Sequence, residues 1–257
     1  MKKPLILLAA FVLISAASVT RAGTLTVAAA ADMKFALEDC STVFRKDNPG
    51  IEVKVSYGSS GNFCTQIENG APFDLFLSAD KKYPEKLVAG GHAAADSLFP
   101  YAVGRLVVWV PKDSPIDVAK LGVASLKDPA ARKVAIANPE HAPYGEAAVA
   151  AMKSLGVYDD VKEKLVLGDN IAQTAQFVES GAADIGIIAL SLAVAPVMAD
   201  KGRYWEVPLS AFPKMVQAGV ITSQAANPED ARKLEDFLKS PAGNEILKKF
   251  GFILGGM

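Results

Sequence analysis

Apolar and polar residues alternate along this chain in blocks of two kinds. Short runs that are continuously apolar, or that alternate with period two, predict strands at "TLTVAAA" (24–30), "IEVKVSYG" (51–58) and "FDLFLSA" (73–79). Between them lie segments with helical spacing. "DMKFALEDCSTVFRKDNPG" carries Phe35, Leu37, Cys40, Val43 and Phe44. "NFCTQIENGAP" predicts a short helix stopped by Gly70 and Pro72, and "YPEKLVAGG" a helix ended by glycine. A βαβαβα run of this kind predicts a parallel sheet covered by helices.

Beyond residue 97 the texture changes. "LFPYAVGRLVVWVPK" (98–112) holds a long apolar strand, and "KVAIANPE" and "ADIGIIAL" are two more buried ones. Helices are expected at "YGEAAVAAMKSLG", "NIAQTAQFVESG" and "SLAVAPVMADKG", and a further strand at "KMVQAGVITS". The tail "NPEDARKLEDFLKSPAGNEILKKFGF" predicts two amphipathic helices split at Ser240-Pro241. Two α/β units joined by short crossovers predict two lobes with a cleft between them. Lobe one is expected over 23–100 plus 222–257, and lobe two over 101–221.

Residues 1–22 stand apart from this pattern. Met1-Lys2-Lys3 is a positive start, "PLILLAAFVLISAA" is apolar, and "SVTRAG" offers small residues at Thr20 and Ala22. The apolar run is shorter than the ~20 residues a bilayer needs, so it predicts a secretory signal cleaved after Ala22. No cysteine follows it, which argues against a lipid anchor. The product expected is an exported protein that is not embedded in a membrane.

Charge narrows the partners. The chain has 27 basic and 28 acidic residues, and the signal would remove Lys2, Lys3 and Arg21 but no acid. A net negative protein is a poor match for nucleic acid or an anionic membrane surface. Nor will its overall field draw in an anion, so any anion site must rely on local dipoles. The two cysteines leave an alternative open. An oxidising compartment would permit a disulfide between Cys40 and Cys64, but Cys40 falls in register with Leu37 and Phe44 on an apolar face.

Common catalytic patterns are missing. His92 and His141 have no metal-ligand spacing, and there is no Gly-x-Ser-x-Gly elbow, phosphate-binding lysine loop or Gly-x-Gly-x-x-Gly. Asp74 and Asp80, six residues apart, are most simply a structural carboxylate and a helix N-cap. What recurs instead is a strand ending in a polar turn that opens a helix. Such turns occur at Ala30-Ala31-Asp32, at Gly58-Ser59-Ser60-Gly61, in "NPEHAPYGE" (138–146) and in "LGDNIAQ" (167–173). Taken singly, Asp32, Ser59, Ser60 and Asn170 are caps or turn residues and Tyr144 is a packing aromatic. Taken together they are four helix starts, two from each unit, without Lys or Arg. In open parallel sheets ligands bind beyond the carboxyl ends of the strands, and helix N-termini there suit anions. Neutral donors hold an oxyanion without the cost of burying a cation.

At these junctions the chain resembles the periplasmic molybdate-binding proteins of ABC importers. The likeness runs through "LTVAAAADM", "GSSGNFCTQIENGAPFDLFLSADKKYPEKL", "GRLVVWVPK", "VAIANPEHAPYG", "GAADIGII" and "FLKSPAGNEILKKFGF". It implies a class II two-lobe binding-protein fold, each lobe a mostly parallel sheet flanked by helices, with two hinge crossovers. It also implies a monomer rather than an enzyme, with no cofactor, and an inner-membrane ABC permease as partner. The implied ligand is molybdate or tungstate, the metal entering only as the centre of the oxyanion. The resemblance makes Ser60 a hydroxyl donor and Tyr144 and Ile171 backbone N–H donors, flanked by Ala31, Ser59 and Asn170. Ala189 falls where some relatives place a tyrosine hydroxyl, a role the Tyr144 phenol is expected to take. Asp32 departs from the serine or asparagine of relatives. A carboxylate beside a dianion costs several kcal/mol in a low dielectric. The side chain is therefore expected to turn away as a helix cap, leaving the Asp32 backbone N–H as the donor to the ligand. The alternatives are that it is protonated or that the ligand is not a simple dianion. Other readings are a different oxyanion, such as sulfate, chromate or phosphonate, or a secreted α/β hydrolase using Asp32, Asp74 or Asp80.

Overall fold

A computed structural model describes residues 23–255, so the signal expected in residues 1–22 lies outside the described residues. The first unit runs β1 (Gly23–Ala30), α1 (Lys34–Asp47), β2 (Ile51–Gly58), α2 (Ser60–Glu68), β3 (Leu75–Ser78), α3 (Lys82–Ala89) and β4 (Phe99–Val103). The second runs β5 (Leu106–Pro111), α4 (Val118–Leu121), β6 (Val134–Ala137), α5 (Pro143–Ser154), α6 (Tyr158–Val161), β7 (Leu165–Gly168), α7 (Ile171–Glu179), β8 (Ile185–Ala189), α8 (Leu190–Ala193), α9 (Pro196–Ala199) and β9 (Gly202–Glu206). The chain then returns through β10 (Val216–Ile221), α10 (Pro228–Lys239) and α11 (Pro241–Lys249).

The strands form two five-stranded sheets, ordered β2-β1-β3-β10-β4 and β7-β6-β8-β5-β9. Each is parallel except for one strand. β10 runs antiparallel to β3 and β4, and β5 runs antiparallel to β8 and β9. Both exceptions are strands that enter their sheet directly from a crossover.

This pairing corrects the expected boundaries. The apolar run 98–112 is two strands in different sheets, parted at Gly104-Arg105. β10 belongs to the first sheet, so the sheets divide at 104–105 and within 207–215, not at 100/101 and 221/222. The break needs glycine, because a Cβ on Gly104 would lie 2.5 Å from the Tyr144 hydroxyl and 2.9 Å from Gln217 Nε2. β7 and β9 escape a period-two reading because they are half-exposed edge strands. The helix expected over "SLAVAPVMADKG" is broken into α8 and α9, since the residue before Pro196 is driven out of helical conformation.

Alternation along β1 and β3 builds two cores on the first sheet. Leu25, Val27, Leu75 and Leu77 pack under α1, α10 and α11 with Cys40, Phe44, Leu234 and Leu247. Ala28 and Phe76 face the other way, under α2 and α3, with Cys64, Ile67 and Leu87. The two cysteines therefore lie on opposite faces of one sheet, and both are free. Burial pushes the Cys40 thiol up to about 12 and the Cys64 thiol to about 11, far from a reactive thiolate. Among the described residues no helix is long and apolar enough to cross a membrane.

Candidate functional site

The four polar turns meet. A small cavity between the units is lined by Ala31, Asp32, Ser59 and Ser60 from the first and by Tyr144 and Ile171 from the second. Asn170 and Ala189 are not among its lining residues. Asn170 lines a larger open groove of about 510 Å³ that adjoins the cavity at Ala31. Ala189 ends β8 and is buried in its pairing with Leu106 of β5. The smaller space is where donors from both units converge.

Each helix start keeps a donor in hand. Asn170 Oδ1 accepts from the N–H groups of Ala172 and Gln173, both at 3.0 Å. The cap thus serves the second and third residues of α7 and leaves the N–H of the first, Ile171. Tyr144 is the second residue of α5, where no carbonyl one turn back reaches its N–H. Ser60 opens α2 and is fully buried, and its Oγ accepts from Ala79 N–H at 3.0 Å. An oxygen engaged as acceptor leaves its own proton to donate elsewhere. No Lys or Arg lines the cavity.

The units are held closed around this point. Gly61 N–H donates to His141 O at 2.9 Å. His141 Nδ1 lies 3.0 Å from Ser59 Oγ, and Asn62 Nδ2 donates to Asp169 Oδ1 at 3.3 Å. At the rim, Lys82 pairs with Glu146 at 2.7 Å.

Asp32 is where the expectation fails. It caps neither its own short 3-10 turn nor α1. Its side chain is instead buried at the floor of the cleft, 1% exposed. Oδ2 accepts from the Tyr144 hydroxyl at 3.0 Å and from Gln217 Nε2 at 2.6 Å, while Oδ1 has no partner. Ser191 of α8 donates to the Asp32 carbonyl at 2.8 Å. A local cap loses here to a partner more than a hundred residues away. The Tyr144 phenol is corrected too, because its proton is committed to Asp32 rather than free for a ligand. Burial pushes the Asp32 carboxyl up to about 6, with the hydrogen bonds from Gln217 and Tyr144 opposing the rise. Asp74 and Asp80 stay structural. Asp74 accepts from Thr26 and Asn227, and Asp80 Oδ1 takes the Lys82 N–H at the start of α3.

A family described as "Bacterial extracellular solute-binding protein" matches residues 25–253. The chain belongs to the bacterial extracellular solute-binding proteins. Within that family it is 40% identical to the molybdate-binding protein ModA of Azotobacter vinelandii over 92% of each chain. It is 38% identical to ModA of Rhodobacter capsulatus, over 90% of this chain and 89% of that one. The solved structure of the Azotobacter vinelandii periplasmic molybdate-binding protein superposes with a TM-score of 0.83, covering 90% of this chain and 99% of that one at 35% identity. A sulfate-binding protein of Mycobacterium tuberculosis shares the fold at 16% identity, with a TM-score of 0.74 and 90% and 86% of the two chains covered.

Set in a solute-binding fold, the polar floor of the cleft has a member that the sequence hid. Gln217 is fully buried and donates to Asp32, yet it sits in a run read only as a strand. The available signal was a long polar amide between Val216 and Ala218, since buried amides demand partners. The raised Asp32 carboxyl also has a thermodynamic consequence. The folded state holds this proton more tightly than the unfolded chain, so ligand-free stability is lost as pH rises from 3.8 to about 6. Asp32→Asn is expected to stabilise the ligand-free protein by about 2 kcal/mol at neutral pH and by much less in acid. Urea unfolding at the two pH values measures this.

Proposed function

We propose that this chain captures molybdate, and tungstate with it, in the cleft between its units and delivers it to an inner-membrane ABC permease. The observation that carries the reading is the convergence of neutral donors from both units on one cavity: the Ser60 hydroxyl and the N–H groups at the starts of α5 and α7. A tetrahedral oxyanion satisfies such donors from several directions at once, and their dipoles stabilise its charge without a buried cation. The molybdate-binding names of relatives at 40% and 38% identity support the choice of anion. The two connections, at 104–105 and 207–215, serve as the hinge about which the units close on the ligand. The protein works as a periplasmic monomer after loss of its signal, needs no cofactor and carries out no catalysis.

Calorimetric titration with molybdate, tungstate, sulfate and phosphate tests this. Tight binding is expected for the first two only. Tight binding of sulfate without molybdate would move the function to another oxyanion, and no binding of any of the four would end the reading. Ser60→Ala removes one charge-assisted hydrogen bond and is expected to weaken molybdate binding about tenfold. Unchanged affinity in the same titration would take Ser60 out of the donor set.

A further inference from the structure

We propose that oxyanion binding loads one proton onto Asp32, and that the resulting carboxylic acid donates to the anion through Oδ1. The inference rests on the oxyanion reading of the cleft and adds a chemical role for the residue that fits it least well.

The geometry assigns the proton to one oxygen. The two side-chain donors that reach the Asp32 carboxylate, Tyr144 Oη and Gln217 Nε2, converge on Oδ2, and the backbone N–H groups of Asp32 and Met33 add weaker contacts. Oδ1 is buried and has no partner, in a residue that lines the same cavity as Ser60, Tyr144 and Ile171. An ionised carboxylate there would face a dianion in a buried site whose lining holds no Lys or Arg to offset either charge. Protonation at Oδ1 turns this repulsion into a donated hydrogen bond and gives Oδ1 the partner it lacks. The proton comes from solvent. The carboxylate, one proton and the dianion combine into a neutral acid bound to the dianion, so the loaded site gains one negative charge rather than two.

Asp32 is the only charged side chain that lines the cavity. Outside it, His141 Nδ1 lies 3.0 Å from Ser59 Oγ, and Asp169 lies 3.7 Å from His141 Nε2. α5 contributes Tyr144, β10 the neutral Gln217, α8 the hydroxyl of Ser191 and α2 that of Ser60. β4 contributes Tyr101, whose phenol, like that of Tyr144, is pushed well above its usual range by burial and then by the Asp32 charge. The first-turn residues of α7 near the cavity are uncharged, and the Lys34 ammonium of α1 lies over the Phe35 ring at 5.3 Å. Burial already lifts the free carboxyl to about 6, and a neighbouring dianion lifts it further. Between those two values the proton must be acquired on binding. The dissociation constant then rises by up to tenfold per pH unit as pH increases.

The test is calorimetric titration of the signal-free protein with molybdate from neutral to mildly alkaline pH, in buffers of different ionisation enthalpy. Close to one proton taken up per anion is expected, with affinity falling as pH rises. Asp32→Asn is expected to take up no proton, to lose the pH dependence and to bind more tightly than the native protein at alkaline pH. Native binding without proton uptake and with a flat pH profile would overturn the proposal, as would native-like proton uptake by Asp32→Asn. If the variant does not fold, the proton count on the native protein decides alone. Failure of the native protein to bind molybdate at any pH is a different result, and overturns the oxyanion reading itself.

Discussion

Gly61→Ala is expected to weaken molybdate binding by about 100-fold while leaving the ligand-free melting temperature within a few degrees of native. Gly61 is the second residue of α2, and its N–H reaches across the cleft to His141 O at 2.9 Å. A Cβ at this position would lie 2.7 Å from that oxygen and 2.9 Å from His141 Cα. Both are backbone atoms of the other unit, so no side chain can swing aside. The methyl group acts as a wedge between units that are each intact. Overpacking of this kind costs about 1–3 kcal/mol, or roughly 5- to 150-fold in a binding constant. The penalty falls on closure, so it is read in the titration rather than in the melt. Native affinity in Gly61→Ala would show that binding does not need this approach of the units.

Asp74→Ala is expected to have the largest effect on stability, a loss of about 3–5 kcal/mol. Asp74 precedes β3 and is 2% exposed. Oδ2 accepts from the N–H and the hydroxyl of Thr26, both at 2.7 Å, and Oδ1 accepts from Asn227 N–H at 2.9 Å. One carboxylate thereby ties the head of β3 to β1 and to the entry of α10. Alanine would strand the N–H groups of Thr26 and Asn227, leaving the Thr26 hydroxyl only Pro72 O at 3.0 Å, and each buried donor left unpaired costs about 1–3 kcal/mol. Urea unfolding measures the loss, and the fraction still folded should bind molybdate normally. A loss below about 1 kcal/mol would mean that water or neighbouring groups replace the carboxylate.

These residues also mark how far the sequence can be read. The helix starts at Ser60, Tyr144 and Ile171 were legible because strand, polar turn and helix are neighbours in the chain, and their chemistry is local. The floor of the cleft was not. Asp32 looks like a cap beside its own helix, and only the fold brings Tyr144 and Gln217 to it. The run 98–112 stays apolar across the crossover because both sheets bury their strands there, so hydropathy carries no mark of the change of sheet. Gly104 is the one local sign, and its reason is a close approach to Tyr144 and Gln217 that periodicity cannot reveal. The cysteine question likewise turned on which face of β1 each helix covers.

The place of β10 has a consequence for how the molecule is made. It lies between β3 and β4, bonded to both, although the whole second unit precedes it in the chain. Until residue 221 has left the ribosome, β3 and β4 have no strand to join them, and the first sheet exists only as separated pieces. β2, β1 and β3 can pair among themselves, but the sheet they begin is completed only after the second unit has been made. Pairings so distant in sequence are also slow to form. For a member of an exported family this delay is useful, because a chain that cannot finish folding early remains one that can still be threaded.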